Sequence, residues 1–397
     1  MHIAICFHKI KNPLTGVLVA IKSPVFLLLL SLIPISALTA LAANQTPGQL
    51  AVPATFIRNI KIPGKSDQIL RPSSLHFDKN NQEILVCDSG HNRVVIFSVA
   101  GAYKFEFPVN NIMSSPKDLI TDSEGYIFVV GIDSDGTQIG KFDYDGTFIM
   151  SLSPPKNKLG DIAVLSSIAI NLDDYLYCLD ANEKTIHVFD DNSLLIKSFP
   201  AETGENLNPD NETILGTLSL IDNELLIPVS SSGYVARLDT SGNYLGSIGF
   251  FGSKPGALNF PVAVEKSFNN KFMILDSARF CVVCYNQNGK AVGEFGGKGL
   301  SPGWFINPTL ISVLSEDRIA IGQIYNSKIQ VCSIPSFISL GNNTYNNSLA
   351  TNSAELATVV IEGNVRRSIS KLFNNLDSNK ENFVSYLSEP ISHLEVF

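Results

Sequence analysis

Across residues 72–107, short apolar runs alternate with clusters of Asp, Asn, Ser and Gly. Runs at 75–77, 84–87, 93–97 and 102–107 are separated by Asp78-Lys79-Asn80-Asn81, Ser89-Gly90-His91-Asn92 and Ala100-Gly101. Runs of this length, rich in β-branched and aromatic residues and bounded by turn formers, predict four consecutive strands. The second run, Ile84-Leu85-Val86-Cys87, is apolar on both faces, which predicts a strand covered on both sides. The fourth sets Tyr103, Phe105 and Phe107 against Lys104 and Glu106, the alternation of a half-exposed edge.

The four-strand unit recurs. Starts near residues 72, 116, 166, 214, 261 and 308 give a spacing of roughly 44 to 50 residues, the range of propeller blades. The pattern predicts an all-β fold, a six-bladed β-propeller over 50–334. The sixth unit lacks a fourth strand, and a spare strand at 55–62 precedes the first. We expect that strand to close the last blade, which removes an open seam. Pro228 lies inside the second strand of unit four and predicts a bulge there. Residues 335–352 read as a polar linker. At 353–375, Leu356, Val359, Val360, Ile369, Leu372 and Phe373 follow a helical period and predict a short helical tail within 335–397.

Composition narrows the setting. Charged residues are only 17% of the chain and the formal net charge is −8, so the chain can bury a large core and repels phosphate backbones. No nucleic-acid partner is expected. Lys9, Lys11 and Lys22 precede an apolar run over 25–43 that ends in Ala40-Leu41-Ala42. This predicts a signal peptide within 1–43, with a retained membrane anchor as the alternative. Either places the folded part outside the cytosol, in the periplasm, at the cell surface or secreted.

Candidate chemistry is sparse. Cys87, Cys178, Cys281, Cys284 and Cys332 all fall inside apolar runs. Cys281 and Cys284 have CxxC spacing, but residues three apart on a strand face opposite sides, so buried free thiols are expected. His76, His91, His187 and His393 follow the apolar leader, and only His76 stands on an innermost strand, where a ligand in the central channel would meet it. Asp133-Ser134-Asp135-Gly136 and Asp143-Tyr144-Asp145-Gly146 resemble pieces of calcium loops but lack the full ligand pattern, and they read as hairpin turns. No cofactor is expected.

The segment Cys87-Asp88-Ser89-Gly90-His91-Asn92-Arg93-Val94-Val95-Ile96-Phe97 resembles the core of NHL repeats, and Leu275-Asp276-Ser277-Ala278-Arg279-Phe280 is a weaker copy. The stretches 295–308 and 252–261 resemble the Gly/Pro-rich connectors between NHL blades. The resemblance implies a six-bladed propeller without implying one function. Relatives include interaction modules, sensor ectodomains, RNA-binding domains and a metal-dependent lyase. Asp88 with Arg93, and Asp276 with Arg279, have two readings: a pair that shapes its own turn, or a ligand contact. In propellers the loops entering each blade and those joining its second and third strands share a face. Here that face carries Asp88, His91, Arg93, Asp133, Asp135, Lys184, Arg279 and Tyr325, a mixture of charge signs suited to a polar protein or peptide. The expectation is a non-catalytic binding scaffold. The alternative is a propeller enzyme of the lyase or calcium-dependent esterase type, with an ion in the channel.

Overall fold

The computed structural model describes residues 54–334 other than 65, 135, 157–159 and 205–212. The expected leader over 1–43, the tail over 335–397 and Asp135 lie outside the described residues. Six four-stranded antiparallel sheets form the blades. Strand β1 (Thr55–Asn59) comes first in the chain. Blade 1 is β2 (Pro72–Asp78), β3 (Glu83–Asp88), β4 (Arg93–Ser98) and β5 (Tyr103–Pro108). Blade 2 is β6 (Ser114–Thr121), β7 (Ile127–Ile132), β8 (Thr137–Phe142) and β9 (Phe148–Leu152). Blade 3 is β10 (Leu165–Ile170), β11 (Leu176–Asp180), β12 (Thr185–Phe189) and β13 (Leu195–Pro200). Blade 4 is β14 (Ser219–Ile221), β15 (Glu224–Val229), β16 (Tyr234–Asp239) and β17 (Tyr244–Ile248). Blade 5 is β18 (Pro261–Lys266), β19 (Phe272–Asp276), β20 (Cys281–Tyr285) and β21 (Ala291–Gly296). Blade 6 is β22 (Leu310–Ser315), β23 (Arg318–Gln323) and β24 (Lys328–Ser333), completed by β1.

The core consists of six clusters, one between each pair of neighbouring blades. The alternation of side chains along a strand explains how one strand serves two of them. In β3, Ile84 and Val86 enter the cluster shared with blade 6, while Leu85 and Cys87 enter the one shared with blade 2. Cys281 and Cys284 divide the same way, into the clusters of blades 4–5 and 5–6. The five described cysteines are free and buried.

The ring closes as the spare strand predicts. β1 pairs with β24 in the register Thr55↔Ser333 to Asn59↔Gln330, with one irregularity between Phe56 and Arg58. Blade 4 departs from expectation in two ways. Its innermost strand is only Ser219–Ile221, and β15 runs opposite β16 without a register shift. Pro228 needs no bulge because its nitrogen faces the side where β14 has already ended. There the Pro228 carbonyl accepts the Gly216 N–H at 2.7 Å, outside any continuous ladder.

Candidate functional site

The antiparallel order gives each blade two ends. The connectors between blades and the turns between second and third strands share the connector face. The remaining turns, between first and second and between third and fourth strands, form the turn face.

On the connector face, Asp88 is a clamp. Its carboxylate accepts the Leu70 N–H at 2.9 Å, holding the incoming connector, and it takes Arg93 Nε at 2.8 Å and His91 Nδ1 at 2.9 Å. Blade after blade repeats the device at the end of the second strand. Asp180 takes the Val164 N–H at 3.0 Å, Asp276 takes those of Asn259 and Phe260, and Gln323 takes the Ile306 N–H at 2.7 Å. Arg93 also reaches Asp67 and, at 3.1 Å, Glu106 on the outer strand. Arg279 bonds Glu294 at 2.8 Å. Register makes Glu106 and Glu294 equivalent, opposite Val95 and Val283, yet Arg279 approaches from a position two residues earlier than Arg93. Asp88, Arg93 and Arg279 are therefore buried inside their blades, because each satisfies backbone or carboxylate groups that burial would otherwise strand. The turn-shaping reading describes their geometry.

Four further residues of the expected set sit in the turns of this face. His91 is exposed and bonded to Asp88. Asp133 accepts the Gly136 N–H at 2.9 Å, so its loop is a hairpin turn. Lys184 has a positive φ of 50° immediately before β12, and its carbonyl accepts the Ala201 N–H at 2.7 Å. Asn92, Phe280 and Ser327 adopt the same left-handed conformation before β4, β20 and β24, where only Asn among the four is a common choice. Tyr325 stands 79% exposed.

Large apolar side chains are also exposed on the connector face. Leu70, Ile132, Val164, Ile214, Phe250, Phe251, Leu300 and Tyr325 are all exposed, Phe251 at 65% and Leu300 at 72%. The sequence pattern hides this, since these residues lie at the ends of apolar runs or in connectors and nothing local tells which way each one points.

The six innermost strands line a cavity of about 680 Å³ that runs to the turn face. Near its connector end, hydrogen bonds link one blade to the next. Ser74 Oγ donates to Asp118 at 2.6 Å, Asp118 accepts the Ile168 N–H at 2.9 Å, and Ser167 Oγ accepts the Leu218 N–H at 2.9 Å. Burial raises the Asp118 carboxyl to about 6 despite these donors. Lower down, strand register puts His76, Ile120, Ala169, Ser219, Glu265 and Ser312 at one height, one from each blade. His76 lines the channel as its position predicts, with Nε2 3.0 Å from Thr121 Oγ1. Burial lowers its pKa to about 4, so the imidazole is neutral. Glu265, which the sequence reading passed over, is pushed up to about 7 by burial, against a smaller downward pull from Lys79. No group of three or more His, Cys, Asp or Glu side chains is spaced to hold a metal ion among the described residues.

No known protein family matches the chain, and no curated protein matches it in sequence. Solved structures do match it. A protein of unknown function from Bacteroides thetaiotaomicron superposes with a TM-score of 0.51 at 11% identity, over 72% of this chain and 75% of its own. An auxiliary nutrient binding protein from Bacteroides ovatus gives 0.51 at 15% identity, over 72% and 77%. A virginiamycin B lyase from Staphylococcus aureus gives 0.47 at 13% identity, over 70% and 88%. At such identities the likeness concerns the fold: the chain is a six-bladed β-propeller.

Proposed function

We propose that this chain is an exported propeller of the NHL type that binds a protein or peptide partner on its connector face. The observation that carries the reading is the collection of eight exposed large apolar side chains on that one face. Single exposed apolar residues are ordinary on a soluble protein, but a set gathered on one face and set among polar turns is how recognition surfaces are built. Burial of the face's strongest charges within the blades points the same way. Asp88, Arg93 and Arg279 hold the loops rigid, and the apolar groups between them offer contact area with little ordering left to do. The NHL-type assignment rests on the Asp88 to Phe97 motif and the two Gly/Pro-rich connectors.

Site-specific photo-crosslinking in the producing cells tests the reading. A photoreactive residue at Phe251 or Tyr325 is expected to trap one and the same partner in the exported fraction. The same residue at Leu172, exposed on the turn face, should not trap it. Equal trapping from both faces, or none from either, would count against the proposal.

A further inference from the structure

Five glutamates stand in strands, and four of them have a cation beside them. Glu83 is paired with Lys104, Glu106 with Arg93, Glu224 with Arg237 and Glu294 with Arg279. Glu265, in β18, has no ion pair among the described residues, although it is the one that lines the channel. A carboxylate withdrawn from water without a counter-charge is unfavourable unless something supplies the missing partner.

The ring at the height of Glu265 is two-sided. Around blades 4, 5, 6 and 1 it presents Ser219, Glu265, Ser312 and His76, and around blades 2 and 3 it presents Ile120 and Ala169. Ser219 already donates to the Val264 carbonyl at 2.8 Å. That leaves a carboxylate, a hydroxyl and a neutral imidazole on one arc and hydrocarbon on the other. At the mouth on the turn face, Leu172 and Phe268 stand exposed, 93% and 50%.

We propose that the channel binds a small primary ammonium compound with an apolar body, its ammonium on Glu265, Ser312 and His76 and its hydrocarbon on Ile120 and Ala169. An ammonium has three donors and no acceptor, which suits an arc of acceptors. The carboxyl's position near 7 fits the same view, since a cation arriving there supplies the charge that burial withholds. An anion meets Glu265 directly, and of the three lysines lining the channel Lys266 is held by Asp222, Lys117 donates to the Leu165 carbonyl at 3.3 Å and Lys79 stands exposed in the turn after β2. A quaternary ammonium would need an aromatic cage, and the ring has none. The cavity's size falls within the usual range for small-molecule sites.

Calorimetric titration of the full-length protein with tryptamine tests this, with indoleacetate as the anion of similar shape. At about pH 8, where the carboxyl is ionised, tryptamine is expected to bind at one saturable site with Kd about 1 mM or tighter and indoleacetate not to bind. Glu265→Gln, an isosteric change, should weaken tryptamine at least about tenfold, and Ser312→Ala about threefold, with folding checked by melting temperature. The proposal fails if indoleacetate binds as well as tryptamine, or if a correctly folded Glu265→Gln protein binds tryptamine unchanged. It also fails if calcium titrates the site while tryptamine does not.

Discussion

Glu265 and Glu294 both belong to blade 5, on its first and fourth strands, and their surroundings make them different groups. Glu294 lies against the Arg279 guanidinium at 2.8 Å, a charge-assisted pair. Glu265 has burial without an ion pair, and its carboxyl rises to about 7 because burial outweighs the pull of the more distant Lys79. The sign of the consequence follows from linkage. The folded state holds the proton more tightly than the unfolded chain, so the stabilisation is fully present below the unfolded value of about 4.5 and is lost as pH rises through about 7. His76 works in the opposite sense: burial keeps it neutral, and stability is lost as pH falls from 6.5 towards about 4. A difference between two proteins isolates the first effect. Without ligand, Glu265→Gln is expected to melt above the wild type at about pH 8 and level with it near pH 4.5. A variant equally stable at both pH values, or less stable at pH 8, would contradict the assignment. Little of this was legible in the sequence. Val264-Glu265-Lys266 looks like the polar end of any strand, and its meeting with His76 at one height depends on the closure of the whole ring. The pairing of Asp88 with Arg93 was legible because the two flank a single turn.

The strands themselves were more readable than the side chains that do chemistry. Middle strands announce themselves by apolar runs, since both faces meet a neighbouring blade, and the turns by Asp or Asn whose side chains accept the next N–H groups. Asp143, Asp190, Asp239 and Asn286 all do so between third and fourth strands. Outer strands were less readable. Blade 1 follows the expected alternation, with Lys104 and Glu106 on its edge. The edges of blades 2, 3 and 4 do not: Phe148, Ile149 and Met150 on β9, Leu195 and Ile196 on β13, and Tyr244 and Leu245 on β17 are exposed. An exposed apolar edge strand keeps unpaired backbone groups beside sticky side chains, the arrangement that lets edges pair between molecules. Ile149→Lys puts a charge on such an edge at a residue 45% exposed. It is expected to lower light scattering during refolding at high protein concentration while changing stability by less than about 0.5 kcal/mol. Unchanged scattering with unchanged stability would show that this edge is not where molecules meet.

At the scale of the whole molecule, stability depends on a ring that has no natural end. Each cluster between blades is shared, so opening one seam exposes surface on two blades at once. The seam lies in blade 6, where β1 supplies the strand that the sixth unit lacks, and it is fastened beyond the ladder. The Ala54 N–H donates to the Gly303 carbonyl and the Ile60 N–H to the Ile329 carbonyl, both at 3.0 Å. Ala54 enters the cluster between blades 5 and 6, while Ile60 and Ile62 enter the one between blades 6 and 1. The residues flanking this one strand therefore close two clusters, and the segment that follows continues to Ile69 in the second. Burying each of the two isoleucines contributes roughly 1.5–3 kcal/mol, a sum that reaches the lower end of the margin of about 5–15 kcal/mol by which domains stay folded. A chain lacking residues 1–62 is expected to lose its cooperative unfolding transition and to aggregate, since β24 becomes a bare edge. A synthetic peptide of residues 55–62 added in trans should restore the transition by adding its strand to β24. If the truncated chain melted at the wild-type temperature, the seam would carry no weight and the blades would hold one another without it.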